Sequence, residues 1–279
     1  MKKACVIGWP IGHSRSPLIH GHWLTQYGIT GSYERVPVEP RQLADFIGTL
    51  TAQGYSGCNV TIPHKEQVFE LVRPADDSTE RLGAVNTVFV RDGKLRGTNT
   101  DGEGFINSIS SSWPAFDLRN KRAVLLGAGG AAMAIANALL ASGIAEIAVA
   151  NRSLERAAKL RERLGTAIKP VAWPKRSEQL IECDFLVNTT SLGMKGQEDL
   201  AMDLSRLDPL ALVSDIVYVP LRTNLLQQAA GRGNPVVEGL GMLLHQAVRG
   251  FELWFGLRPS VTPELHDLIA RDIDPGYLR

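Results

Sequence analysis

"AVLLGAGGAAMAIANALL", residues 123–140, passes from a buried strand into a helix across three glycines. Gly127, Gly129 and Ala132 fall in a G-x-G-x-x-A pattern at that turn. The glycines allow a tight turn and a close backbone approach. The helix start offers unpaired N–H groups and the positive end of its dipole to a pyrophosphate. The plainer alternative is a glycine-rich strand–helix turn that holds nothing. The next strand bears on the choice. Where an NAD-binding unit has an acidic residue for the ribose, about 20 residues on, this chain reads Asn151, Arg152 and Ser153. Ser153 is a good N-cap, which puts Arg156 in the first helical turn. A cation there opposes the helix dipole by up to about 1 kcal/mol. The conflict is relieved if Arg152 and Arg156 together hold an anion, and the 2′-phosphate of NADP suits an arginine fork. The alternative is a solvated arginine paired with Glu155 or another acid.

Outward from this motif the chain continues as a βα series. "RAVLLG", "EIAVAN", "FLVNT", "LVSDIVY" and "PVVEG" carry strand signals, with helices such as "AAMAIANALLASG" and "SLERAAKLRERLG" between the first of them. Strands alternating with helices predict a doubly wound parallel sheet. Upstream, "KACVIG", "SYERVPV" and the apolar run in "GCNVTIPHK" (residues 57–65) read as strands. "SPLIHGHWLTQYG" and "PRQLADFIGTLTAQG" read as helices with glycine stops. "AVNTVFVRDGKLRGTNTD" contains two short strands around Asp92–Gly93, a strong hairpin signal that adds an antiparallel piece. "GEGFINSISSSW" reads as a connecting helix with Phe105, Ile106, Ile109 and Trp113 on one side. After Gly239 the pattern is helical. The expectation is an α/β chain of two domains. Residues 1–102 form a mixed-sheet domain completed by C-terminal helices 241–279, and residues 103–240 form a Rossmann domain. Such a plan places residues near 240–250 in an interdomain cleft.

Composition narrows the function. The 279 residues carry a net charge of +1, which gives no sign of a nucleic-acid or membrane-surface partner. No stretch approaches the roughly 18 apolar residues of a membrane span. The opening "MKKACVIGWP" is apolar over too short a run for a signal peptide. Cys5, Cys58 and Cys183 are odd in number and widely spaced, and read as buried thiols in a reducing, cytoplasmic setting. The six histidines complete no metal set.

The strand of "GCNVTIPHK" ends in a lysine. An enzyme that oxidises an alcohol with a nicotinamide must also take a proton from the hydroxyl. Lys65 could take it, with Asp101 of "GTNTDGEG" as the partner carboxylate. Each also has a bland explanation, a solvated lysine and an N-cap.

Eight blocks change that balance. "VIGWPIGHSRSP", "NVTIPHK", "GAVNTV", "NTDGEG", "GAGGAA", "NRSLERA", "NTTSLGM" and "GLGMLLHQA" stand in this order along nearly the whole chain. In these blocks the sequence resembles the shikimate dehydrogenase family. The resemblance implies a substrate-binding domain followed by an NADP-binding one, and interconversion of shikimate and 3-dehydroshikimate. It implies that Lys65 and Asp101 are the catalytic pair and that Ser14 and Ser16 hold the substrate carboxylate. Ser16 before Pro17 also reads as an N-cap followed by proline at the first helical position. Thr61, Asn86 and Gln246 match positions that bond the ring hydroxyls, and Tyr218 a tyrosine near the substrate. The cofactor positions map onto Gly127, Ala128, Gly129, Gly130 and Ala131, onto Asn151, Arg152, Ser153 and Arg156, and onto Ile216 and Gly239. Trp9 replaces the commoner asparagine of "GNP", and Ser153 the frequent threonine of "NRT". The rival expectations are a quinate or dual quinate/shikimate dehydrogenase and a catalytically silent NADP-binding sensor. Monomer and homodimer are both open.

Overall fold

A computed structural model describes residues 1–278. The chain divides into two compact units. One comprises residues 1–100 and 246–269, the other residues 101–245 with the last segment from 270. The sequence had assigned all of 241–279 to the first. Helices α9 (Gly239–Phe255) and α10 (Pro263–Ile273) each contribute residues to both.

The first unit holds β1 (Lys2–Gly8), α1 (Ser16–Gln26), β2 (Gly31–Pro37), α2 (Leu43–Thr49) and β3 (Tyr55–Val60). There follow α3 (Lys65–Leu71), β4 (Arg73–Pro74), α4 (Asp77–Leu82), β5 (Thr87–Arg91) and β6 (Lys94–Thr98). Its sheet runs β2-β1-β3-β5-β6-β4. β1 pairs in parallel with β2 and β3, whereas β5 is antiparallel to both β3 and β6. The β5–β6 turn is made by Asp92 (φ 52) and Gly93 (φ 68), the paired positive φ angles that match the twist of a two-residue hairpin. One core of this unit packs Ile7, Leu43, Ile47, Leu50, Val60, Val68 and Val88. Residues of α9 and of the connection after it tie into this unit: the Trp254 indole N–H donates to the Val88 carbonyl (2.8 Å), and Trp23 to that of Ser260 (3.0 Å).

One strand expectation needs correction. β3 stops at Val60, so Thr61 and Ile62 lie outside it, and Ile62 is 75% exposed. The cis Ile62–Pro63 bond leads straight into α3. Trp113 also departs from the apolar face predicted for the connecting helix. It is partly exposed, and its indole donates to the Val236 carbonyl (3.2 Å).

The second unit begins with α5 (Asp101–Ser112), β7 (Arg122–Leu126), α6 (Gly130–Ala141), β8 (Glu146–Asn151) and α7 (Leu154–Leu164). β9 (Ile168–Ala172), β10 (Phe185–Asn188), β11 (Leu212–Asp215), α8 (Asn224–Gly231) and β12 (Val236–Val237) complete it. All strand pairs are parallel, in the order β12-β11-β10-β7-β8-β9. Counted from β7, that is the dinucleotide-binding order 3-2-1-4-5-6, with its switch point between β7 and β10. The central strands are aliphatic on both faces (Val124, Leu125 and Leu126; Ala148, Val149 and Ala150), as a sheet covered by helices requires. β9 escaped the sequence reading because Pro170 interrupts its pattern. The strand lies at the sheet edge, where a missing N–H is tolerated.

Candidate active site

In the first unit the candidate residues gather where β1, β3 and β6 end and β5 begins. The antiparallel β3–β5 pairing sets Asn86, just ahead of β5, beside the end of β3, and the Val60 amide donates to its carbonyl (2.8 Å). The Ser14 hydroxyl donates to that of Ser16 (3.2 Å), and Ser16 bonds the buried Tyr33 phenol. Tyr33 donates to Asn59 Oδ1 (2.6 Å). Asn59 Nδ2 donates to the Asn86 carbonyl (3.2 Å) and to Thr87 Oγ1 (3.1 Å), and the Thr87 hydroxyl donates to Asn86 Oδ1 (2.9 Å). Asn86 Nδ2 donates to Thr100 Oγ1 (3.0 Å), whose hydroxyl reaches the Gln246 carbonyl (2.8 Å). One buried polar chain therefore connects the two serines to Asn86 and Gln246. Buried networks of this kind are stabilising only when their members are satisfied, and they then fix one arrangement.

Ser16 is not the N-cap that its sequence suggested. It is the first residue of α1, the cap position is Arg15, whose side chain makes no capping bond, and the Ser16 amide donates to Ser14 Oγ (3.3 Å). Proline at the second position supplies the turn instead, which leaves the Ser16 hydroxyl to Ser14 and Tyr33. Arg35 Nε donates to the Ser14 carbonyl (2.7 Å) and braces this loop. Thr61 and Lys65 follow β3, with Lys65 as the first residue of α3. His64 between them is fully buried. Its Nε2 carries the proton and donates to the Val38 carbonyl (2.7 Å), anchoring the loop that presents the lysine. One turn after Ser16, His20 is fully buried and stacks on Tyr33 with centroids 4.0 Å apart. Burial pushes this imidazole down to about 3, against a smaller opposing pull from Asn59.

In the second unit the cofactor candidates sit at the carboxyl ends of adjacent parallel strands. Gly127 follows β7 with φ 106, and a β-carbon there would lie 2.9 Å from Thr189 Oγ1. Gly129 caps α6 without a side chain, so the amides of Gly130 and Ala131 open the helix towards an anion. At the end of β8, Asn151 Nδ2 donates to the Ser153 carbonyl (2.9 Å), and Ser153 Oγ accepts from the Arg156 amide (3.3 Å) as the expected N-cap. Glu155 pairs with Lys159 (3.1 Å), not with an arginine. Arg152 and Arg156 are exposed, and neither has a carboxylate partner among the described residues. Two unpaired guanidiniums at the positive end of a helix, beside a cradle that a side chain would fill, fit an NADP adenosine 2′-phosphate and pyrophosphate. Ile216 and Tyr218 follow β11. Gly239 opens α9 where a β-carbon would lie 2.5 Å from the Ile216 carbonyl oxygen. Asp101 is the buried first residue of α5. Asp101 and Tyr218 thus belong to the second unit, and the other substrate candidates to the first.

Three family descriptions match the chain in sequence. They are the shikimate dehydrogenase substrate binding domain over residues 6–88, shikimate / quinate 5-dehydrogenase over 110–210, and the shikimate 5′-dehydrogenase C-terminal domain over 239–263. A shikimate dehydrogenase (NADP(+)) of Rhodopseudomonas palustris is 54% identical over 270 residues, 97% of this chain and 96% of the relative. The chain belongs to the shikimate dehydrogenase family. Solved structures of the family superpose closely on it. Shikimate 5-dehydrogenase from Thermus thermophilus, in complex with NADP(H) and shikimate, has a TM-score of 0.86 at 33% identity, covering 98% of this chain and all of that one. Quinate dehydrogenase from Corynebacterium glutamicum, in complex with NAD, has a TM-score of 0.86 at 30% identity, covering 96% and 98%. The shared fold therefore serves more than one substrate and cofactor. Among the described residues no group of three potential metal ligands occurs, and no helix is long and apolar enough to cross a membrane.

The sequence reading missed Tyr33, Asn59, Thr87 and Thr100, which hold the candidate ligands in place. A signal was present: Asn59 stands inside the apolar run "GCNVT", where an amide needs buried partners.

Proposed function

We propose that this family member interconverts shikimate and 3-dehydroshikimate with NADP, as a cytoplasmic step of chorismate and aromatic amino-acid biosynthesis. The observation that carries the cofactor choice is the unpaired Arg152–Arg156 couple; no acidic residue stands there to take a ribose 2′-hydroxyl. Ser14 and Ser16 receive the substrate carboxylate, Thr61, Asn86 and Gln246 bond the ring hydroxyls, and Tyr218 stands near the substrate. NADP supplies the hydride acceptor. Lys65 takes the proton of the hydroxyl being oxidised and returns it in the reverse direction. Asp101 orients that hydroxyl and balances the lysine's charge during turnover. The protein acts as a monomer or homodimer on this small molecule, without nucleic acid, membrane or metal.

The dual-specificity reading is kept because a quinate dehydrogenase shares the fold. Initial rates at 340 nm with shikimate or quinate, each with NADP or NAD, separate the possibilities. Activity confined to shikimate with NADP is expected. Comparable quinate turnover or a preference for NAD moves the protein to the dual-specificity branch. NADP binding without turnover makes it a sensor.

A further inference from the structure

Asp215, the last residue of β11, is fully buried and has no cationic partner among the described residues. Its carboxylate instead collects donors from three directions. Oδ1 accepts from Asn188 Nδ2 at the end of β10 (2.9 Å) and from the Val217 amide (3.0 Å). Oδ2 accepts from the Thr223 hydroxyl at the start of α8 (2.7 Å). Each partner holds a further segment. Asn188 Oδ1 accepts from the Thr190 amide (3.0 Å) and hydroxyl (2.7 Å), and its Nδ2 also reaches the Leu192 carbonyl (3.1 Å). Thr223 caps α8 through the Leu226 amide (3.4 Å). Of the charged residues in the flanking segments, Arg222 and Glu238 pair with each other (2.8 Å), and Lys195 is exposed, with its amide donating to the Val219 carbonyl (2.8 Å).

All three contacts are donations to Asp215, so each is made best to the anion. A protonated carboxyl must donate somewhere, and the Thr223 hydroxyl or the Val217 amide then loses its acceptor. Val217 stands within the segment that carries Ile216 and Tyr218, and that segment is pressed against Gly239. We propose that ionised Asp215 is a positioning residue for segment 216–218, and that its protonation releases this segment and weakens nicotinamide and substrate binding. The inference rests on the proposed function for the roles of Ile216 and Tyr218. Burial pushes this carboxyl up to about 6, against the pull of the Val217, Asn188 and Thr223 donors, so the switch lies within reach of mild acid.

The test uses the reductive direction, in which Lys65 supplies the proton. kcat/KM for 3-dehydroshikimate at saturating NADPH is followed between about pH 5 and 8, with NADPH affinity measured by fluorescence in parallel. The wild type is expected to lose about tenfold per pH unit on an acid limb below neutrality. Asp215→Asn should lack that limb while melting as the wild type does. Thr223→Val, which removes one donor, should move the limb to higher pH, and Thr223→Ser should return it. An acid limb unchanged in Asp215→Asn overturns the proposal. If that variant does not fold, an unmoved limb in Thr223→Val overturns it instead. Absence of turnover in the wild type at neutral pH speaks against the proposed function alone. The pH dependence of NADPH affinity, compared between wild type and variant, then still decides the role of Asp215.

Discussion

In the first unit polar side chains run through the sheet itself: Tyr33 on β2, Asn59 on β3 and Thr87 on β5 are buried and bonded to one another, Tyr33 reaching Asn59 past the intervening β1. In the second unit the interiors of β7 and β8 are aliphatic, Ser214 is a buried hydroxyl within β11, and the buried Asn188 and Asp215 stand at the last positions of β10 and β11. The contrast follows from what each unit has to hold. A small ring bearing a carboxylate and several hydroxyls needs side-chain donors and acceptors at fixed spacing, and these in turn need partners deeper in the sheet. A dinucleotide is held largely by backbone amides and by charges at helix starts, so the second sheet needs only correctly shaped strand ends.

Four variants can break or sharpen this comparison. The largest effect is expected for Lys65→Ala, which removes the proton carrier and leaves the polar chain of the first sheet intact. kcat should fall by about 10²- to 10⁴-fold while KM for shikimate changes little. An equal loss of affinity would turn Lys65 into a binding residue. Next comes the pair Arg152→Ala and Arg156→Ala in the second unit. Each should raise KM for NADP by about ten- to a hundredfold, the worth of a charged hydrogen bond, and leave KM for NAD nearly unchanged. Equal weakening of both cofactors would show that the arginines do not read the 2′-phosphate.

The smallest effect concerns His20, which tests whether the polar interior of the first sheet makes that unit the acid-sensitive one. Its folded-state pKa lies below the unfolded value of about 6.5. The stability held by the neutral ring is therefore complete above pH 6.5. It drains away as pH falls towards about 3, at up to ~1.4 kcal/mol per unit. His20→Phe should flatten the acid side of a melting-temperature profile, and an unchanged slope would assign the sensitivity to other groups.

Much of this was legible in the sequence because it depends on local chemistry. The strand–glycine–helix turn at Gly127, the hairpin at Asp92–Gly93 and the cap at Ser153 are each set by residues within a few positions. Ser16 misled because serine before proline signals a cap, whereas Arg15 takes that position and Ser16 bonds Ser14 and Tyr33. The network around Asn59 and Asp215 was illegible because its partners lie 26 to 28 residues away for one and up to 27 for the other. Only the strand order brings them together. Edge strand β9 was hidden because a proline acceptable at an edge looks like a break in a linear reading.

The indole bonds from Trp254 to Val88 and from Trp23 to Ser260 have a consequence for synthesis. A chain emerging from the ribosome has every strand of its first sheet by Thr98, yet the residues that cover that sheet arrive more than 140 positions later. The second sheet, complete by Val237, emerges whole in the meantime. The nascent protein must carry an unfinished first sheet throughout that interval, so the sheet that is made first is covered only after the second has been made.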